Sequence, residues 1–230
     1  MLSKKSIIIA AGLFILLASL GGALVYKNYR DSLALTPAKL LASFEIKNQS
    51  LTPEVAQLFQ QRFEETEGRL KGNPDSFNDW LYLGVLKKGI GDYEGARDVW
   101  TYAGQIRPQS STPFANLADL YAYFLNDPQQ AEANINKAIT NGSNDYNYYL
   151  AKADIYRYKF PGKESLYEST MLEAIQKFPD TPNLIAPLAG FYRDTGQTAK
   201  AIEWYEKLLK LTPDNQAAKD DLAELRKKTQ

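Results

Sequence analysis

Residues 80–108 read WLYLGVLKKGIGDYEGARDVWTYAGQIRP. A large aromatic opens the run, a Gly-Asp turn at 91–92 divides it, and Pro108 closes it. These landmarks return along the chain. Pro74 lies 34 residues before Pro108, Pro179 lies 34 before Pro213, and the 71 residues between Pro108 and Pro179 hold two further units of similar length. Gly84, Ala118, Ala153 and Ala189 are separated by 34, 35 and 36 residues, and Ala103, Ala138, Ala174 and Leu208 by 35, 36 and 34. Large residues keep the same beat: Trp80, Phe114, Tyr149 and Ile185 form one series, and Trp100, Ile135, Met171 and Tyr205 another. Self-similarity at a fixed period of this size marks an array of supersecondary units. The stretch is a repeat unit, not a site.

Helix packing explains the pattern. Small residues must recur where two helices touch, because a larger side chain holds the backbones apart. Gly84 and Ala118 in first helices therefore face Ala96 and Ala131 in second helices, and the aromatic series fills the space between successive pairs. The prolines fall at unit junctions, where a helix has ended and no backbone donor is required. Asp92 and Asp127 stand where N-caps would open second helices.

The series Trp80, Leu83, Gly84, Ala96, Trp100, Ala103, Pro108 resembles the tetratricopeptide repeat, a helix–turn–helix unit of about 34 residues. Leu188, Ala189, Tyr192, Ala201, Tyr205 and Pro213 resemble it again. The resemblance spans residues 77–215 as four units: 77–110, 111–145, 146–181 and 182–215. Unit two carries one extra residue near Asn126-Asp127-Pro128, unit three carries two near Phe160-Pro161-Gly162, and Lys152 replaces the expected leucine. The resemblance implies an all-α fold, a right-handed superhelical solenoid.

A single unit cannot bury its apolar face, so the array needs caps. Residues 53–73 provide one helix, with Val55, Leu58, Phe59, Phe63 and Leu70 at helical spacing and Glu64, Glu65 and Glu67 on the other side. Residues 216–230 provide another, with a narrow stripe of Ala218, Leu222 and Leu225. Ahead of the array, residues 31–52 read as a spacer, with one short amphipathic turn at Leu40, Leu41 and Phe44 after Pro37 as the alternative.

Residues 1–30 read as a membrane anchor. Ser6 to Tyr26 holds no charge, with Lys4, Lys5, Lys27 and Arg30 around it. Its 21 residues at about 1.5 Å each cover roughly 30 Å, the hydrocarbon thickness of a bilayer, as one transmembrane helix. A cleaved signal peptide ending near Gly21 and Ala23 is the alternative; the apolar run continues past that point through Leu24, Val25 and Tyr26. Lys4 and Lys5 favour a cytoplasmic N-terminus in a single-pass protein, which puts the repeats outside the cytoplasm.

The 230 residues carry 27 basic and 27 acidic side chains, no cysteine and no histidine. The neutral balance gives no footprint for nucleic acid. Thiolate metal sites and a cysteine nucleophile are excluded, and the commonest metal ligand and general base is missing. No paired acid and base shares a face, so an enzyme is not expected, and neither a cofactor nor a metal is expected.

The resemblance implies that first helices line a concave groove that receives a peptide or helix of a protein partner. By register the groove positions are Asn78, Leu81, Val85 and Lys88 in unit one, and Thr112, Ala115, Asp119, Ala122 and Tyr123 in unit two. Unit three gives Asn147, Leu150, Asp154, Arg157 and Tyr158, and unit four Asn183, Ala186, Gly190 and Arg193. The chemistry-bearing members are Asp119, Tyr123, Asn147, Asp154, Arg157, Tyr158, Asn183 and Arg193. Tyrosine and arginine give large area and directed donors; asparagine both donates to and accepts from a peptide backbone. Some relatives clamp a C-terminal carboxylate with lysine and asparagine; here Leu81 and Val85 occupy matching positions and only Asn116 fits.

Three weaker signals remain. In NDYNYYLAKADIYRYK, residues 144–159, Tyr149 and Tyr156 occupy repeat positions and belong to the core. Gly162-Lys163 is no phosphate loop, and Asn48-Gln-Ser and Asn141-Gly-Ser match a short glycan-acceptor pattern. The expected function is a membrane-anchored, non-catalytic scaffold that binds a protein or peptide. The alternative is a self-associating structural protein of the cell envelope.

Overall fold

The computed structural model describes residues 35–228. The expected span Ser6–Tyr26 lies outside the described residues, among which no helix is long and apolar enough to cross a membrane. The described residues are helical, without strands. The chain divides into two compact units, Met1–Ser43 and Phe44–Gln230.

In the first unit Pro37–Leu41 forms a short helix, α1. Thr36 Oγ1 accepts from the Lys39 amide at 3.4 Å, and Pro37 sits at the first helical position, where its missing donor costs nothing. Leu40 and Leu41 are buried.

The second unit is a file of helices: α2 Pro53–Gly72, α3 Phe77–Gly89, α4 Tyr93–Ile106, α5 Thr112–Tyr123, α6 Pro128–Asn141, α7 Tyr146–Tyr158, α8 Leu166–Lys177, α9 Pro182–Asp194, α10 Thr198–Leu211 and α11 Gln216–Lys227. They pack as hairpins α3–α4, α5–α6, α7–α8 and α9–α10, and each second helix also packs on the first helix of the next hairpin. Helix α2 lies on α3 and α11 on α10, so both ends are covered.

The hairpin turns share one backbone device. Gly91, Asn126, Gly162 and Gly196 all have positive φ, between 52° and 84°. Their spacings of 35, 36 and 34 residues follow the sequence period. A left-handed residue ends the first helix and turns the chain for the second, and asparagine is the residue other than glycine that tolerates it best. The added residues of units two and three are absorbed around this point. Asp92 and Asp127 then cap the second helices, accepting from the Gly95 and Gln130 amides at 3.3 and 3.0 Å.

The core runs as a chain of junctions. Ala96, Trp100, Leu117 and Leu120 close units one and two. Ala118, Ala131, Ile135, Ala138 and Ile155 bring in unit three. Tyr149, Met171, Leu184, Leu188, Tyr205 and Leu222 carry it to the C-terminal cap. The nearest neighbour of a side chain at Gly84 is the Trp100 ring rather than Ala96. Lys152, at the leucine position of unit three, sends its ammonium to 5.8 Å from the Tyr156 ring centroid.

The expected spacer is not uniform. Phe44 stacks on Phe63 with ring centroids 4.6 Å apart. The amides of Lys47 and Asn48 both donate to the Ile90 carbonyl at 2.8 Å. Lys47 Nζ reaches Asp92 at 2.8 Å, and the buried Lys87 reaches the same carboxylate at 3.1 Å. Residues 44–48 are thus strapped to the first hairpin turn, where Gly91 leaves room for the Asn48 backbone.

Candidate functional site

The first helices present one face, and α5 and α7 touch directly along it. Between them lies a cavity of about 270 Å³ lined by Ala115, Ala118, Asp119, Tyr123, Ile135, Tyr148, Ala151, Asp154 and Ile155. Its lining combines alanine and isoleucine with tyrosine and aspartate. Three of the chemistry-bearing groove residues, Asp119, Tyr123 and Asp154, meet here beside Ala115.

Each is in a different electrostatic state. Asp119 is paired with Lys88 of α3, whose ammonium also lies 4.6 Å from the Phe124 ring centroid. Among the described residues Asp154 makes no hydrogen bond or ion pair; burial pushes its carboxyl above the ordinary aspartate range, with Arg157 opposing. Tyr123 is 42% exposed, and Lys159 Nζ lies 4.7 Å from its ring centroid. Burial raises the Tyr123 hydroxyl, and the Asp154 and Asp119 charges add to that.

The remaining expected residues are mostly employed within the fold. Arg157 donates to Asp194 at 3.3 Å and lies 5.0, 5.0 and 5.2 Å from the ring centres of Tyr158, Tyr167 and Phe191. It staples α7 to α8 and α9; burial raises the Tyr167 hydroxyl to about 12 while this guanidinium opposes the shift. Arg193 binds Asp194 and Asp221, tying α9 to α11. Asn147 Nδ2 donates to Asp145, the cap of its own helix, at 2.8 Å, and Asn183 Nδ2 donates to the Tyr146 hydroxyl at 2.9 Å. Ala122, expected to face the groove, is buried in the core, and Lys88, another expected groove position, is the Asp119 partner. Tyr158 stays open, 60% exposed.

Sequence reasoning missed a recurring staple. Glu132 accepts from the Tyr156 hydroxyl and from Lys163, both at 2.6 Å. One unit later Glu168 accepts from Tyr192 and Lys200, both at 2.8 Å. Each set joins a second helix to the next hairpin. The two glutamates and the two tyrosines are each 36 residues apart, a signal that an apolar register does not collect. The glycan-acceptor match at Asn141 has a structural use: its Nδ2 holds the Pro108 and Ser110 carbonyls, both at 2.9 Å.

Residues 188–215 match the family profile of the tetratricopeptide repeat. That stretch carries a tetratricopeptide repeat. No curated protein matches the chain. Solved structures share the tetratricopeptide fold at low identity. MamA has a TM-score of 0.56 and 16% identity, over 74% of this chain and 96% of that one. PilW, a widely conserved type IV pilus biogenesis factor, has a TM-score of 0.53 and 21% identity, over 74% and 86%. YrrB, a tetratricopeptide protein with an unusual peptide-binding site, has a TM-score of 0.52 and 10% identity, over 71% and 83%. At these identities the likeness is one of fold.

Proposed function

We propose that the chain is a membrane-tethered, non-catalytic adaptor whose tetratricopeptide units receive a peptide or helix of a protein partner along the first-helix face. The uncharged run Ser6–Tyr26 supplies the tether and holds the repeats outside the cytoplasm. The observation that carries the binding reading is the α5–α7 cavity, where exposed Tyr123 and the unpaired Asp154 lie side by side, with exposed Tyr158 on the same helix. Elsewhere on that face Lys88, Arg157 and Arg193 are engaged in ion pairs, leaving less to offer a partner. The peptide-binding site of YrrB shows that this fold can serve such a use.

Self-association is the rival reading, and a second cavity of about 260 Å³, lined by residues that include Ile175, Ile185, Trp204, Lys207, Lys210 and Leu211, is the surface on which it is tested. Quantitative capture from membranes, with melting of the same variants, separates the two. Tyr123→Ala and Tyr158→Ala weaken capture without lowering the melting temperature much, and the second-cavity change Lys210→Glu does neither. Loss of capture with Lys210→Glu and none with the tyrosine changes would move the interface to the second cavity.

A further inference from the structure

Lys88 on α3 reaches Asp119 on α5, 31 residues further along. One unit later the same two positions are Tyr123 and Asp154, again 31 residues apart. A tyrosine therefore stands where unit one has its lysine. Asp154 stands where Asp119 stands, but without its cation. The other first-helix junctions each have an ion pair, Arg157 with Asp194 and Arg193 with Asp221. The α5–α7 junction instead has an open cavity with two carboxylates in its lining.

We propose that the α5–α7 cavity takes a lysine or arginine side chain of the partner segment, its cation standing beside Asp154 and Asp119 as the Lys88 ammonium stands beside Asp119 one unit earlier. This rests on the adaptor reading of the same face. The apolar lining of Ala115, Ala118, Ala151, Ile135 and Ile155 suits the methylene stem of such a side chain, which buries its carbons and keeps its charge among polar groups. Tyr123 and Tyr148 border the cavity with aromatic rings, which attract cations. An acidic segment would meet the unpaired Asp154 carboxylate instead.

The cations already near do not fill the place. Arg157, three residues along α7, is turned to Asp194 and to the rings of Tyr158, Tyr167 and Phe191. Lys159 lies over the Tyr123 ring and is joined to neither carboxylate among the described residues. A desolvated carboxylate with no partner gains most from a cation that arrives from outside, and such pairs discriminate strongly between partners.

Selection of short random peptides on the full chain in detergent tests this, the enriched peptides being resynthesised and titrated. Enriched peptides share a lysine or arginine, and replacing it by norleucine weakens binding about tenfold or more. Asp154→Asn causes a similar loss. Tyr123→Lys rebuilds within the chain the pair seen at Lys88 and abolishes binding of the basic peptides while the melting temperature does not fall. Peptides that need Tyr123 and Tyr158 but carry no basic residue, or basic peptides indifferent to Asp154→Asn, overturn the inference and leave the groove reading standing. A selection whose binders ignore Tyr123→Ala and Tyr158→Ala, or that returns no binder, overturns both.

Discussion

Trp100 lies across Gly84. Its indole Nε1 donates to the Leu81 carbonyl at 3.0 Å, and a Cβ on residue 84 would fall 2.2 Å from that nitrogen. The ring is fixed by its hydrogen bond and is 2% exposed, so it has nowhere to retreat. Gly84→Ala therefore destabilises by about 1–3 kcal/mol or more through overpacking. Gly190 occupies open space on α9, and Gly190→Ala is neutral or stabilising by up to about 1 kcal/mol, the helix preference for alanine. Urea midpoints of the two variants give the order directly.

Asp92 is a hub. Burial pushes its carboxyl up, and the hydrogen bonds and charges of Lys47 and Lys87 outweigh this and hold it below the ordinary range. It also caps α4 through the Gly95 amide. Asp92→Ala leaves the buried Lys87 ammonium without this carboxylate, and removing one partner of a buried pair costs about 3–5 kcal/mol. Lys47→Ala, on the exposed side of the same hub, costs under about 1 kcal/mol. Denaturation of both variants checks the contrast.

The glutamate staples set an acid limit. Burial raises the Glu132 carboxyl, but hydrogen bonds from Lys163 and Tyr156 hold it below its ordinary value; Glu168 is lowered by Lys200 and Tyr192 against burial. A carboxyl lowered in the folded state contributes fully above its unfolded pKa and loses that contribution as pH falls through the folded value. Stability in urea should fall as pH drops below about 4.3, the ordinary glutamate value. Glu132→Gln with Glu168→Gln should flatten that fall.

Asp154 has the opposite sign. Its carboxyl is raised by burial, so its charge opposes folding at neutral pH and the penalty fades as pH falls through the folded value. Asp154→Asn should raise the urea midpoint at pH 7, whereas Lys88→Leu should lower stability by about 0.5–1 kcal/mol because it deletes a half-exposed pair and a ring contact. A residue that costs the fold stability and helps the partner is what a binding site contains.

The repeat was legible because packing forces small and large residues to recur at one spacing. The turns, the Asp92 and Asp127 caps and the junction cores all follow that spacing. The groove was legible only in part. Register says which side of a helix a residue occupies, but not whether its charge is already spent. Arg157, Arg193 and Lys88 read as groove positions, and each is also in an ion pair within the fold. Such pairings join residues 28 to 37 positions apart on different helices, where no local pattern records them. Asp154 could be placed on the face, yet its lack of a partner emerged only from the geometry around it.

Photo-crosslinking from single positions in intact membranes tests the binding claim most directly. A benzophenone amino acid replaces Tyr123, Tyr158 or Lys210 in the full chain, and adducts are compared by mass. The adaptor account predicts one shared adduct from positions 123 and 158 and its absence from position 210. An adduct from position 210 alone, or one whose mass is that of a second copy of this chain, would contradict it.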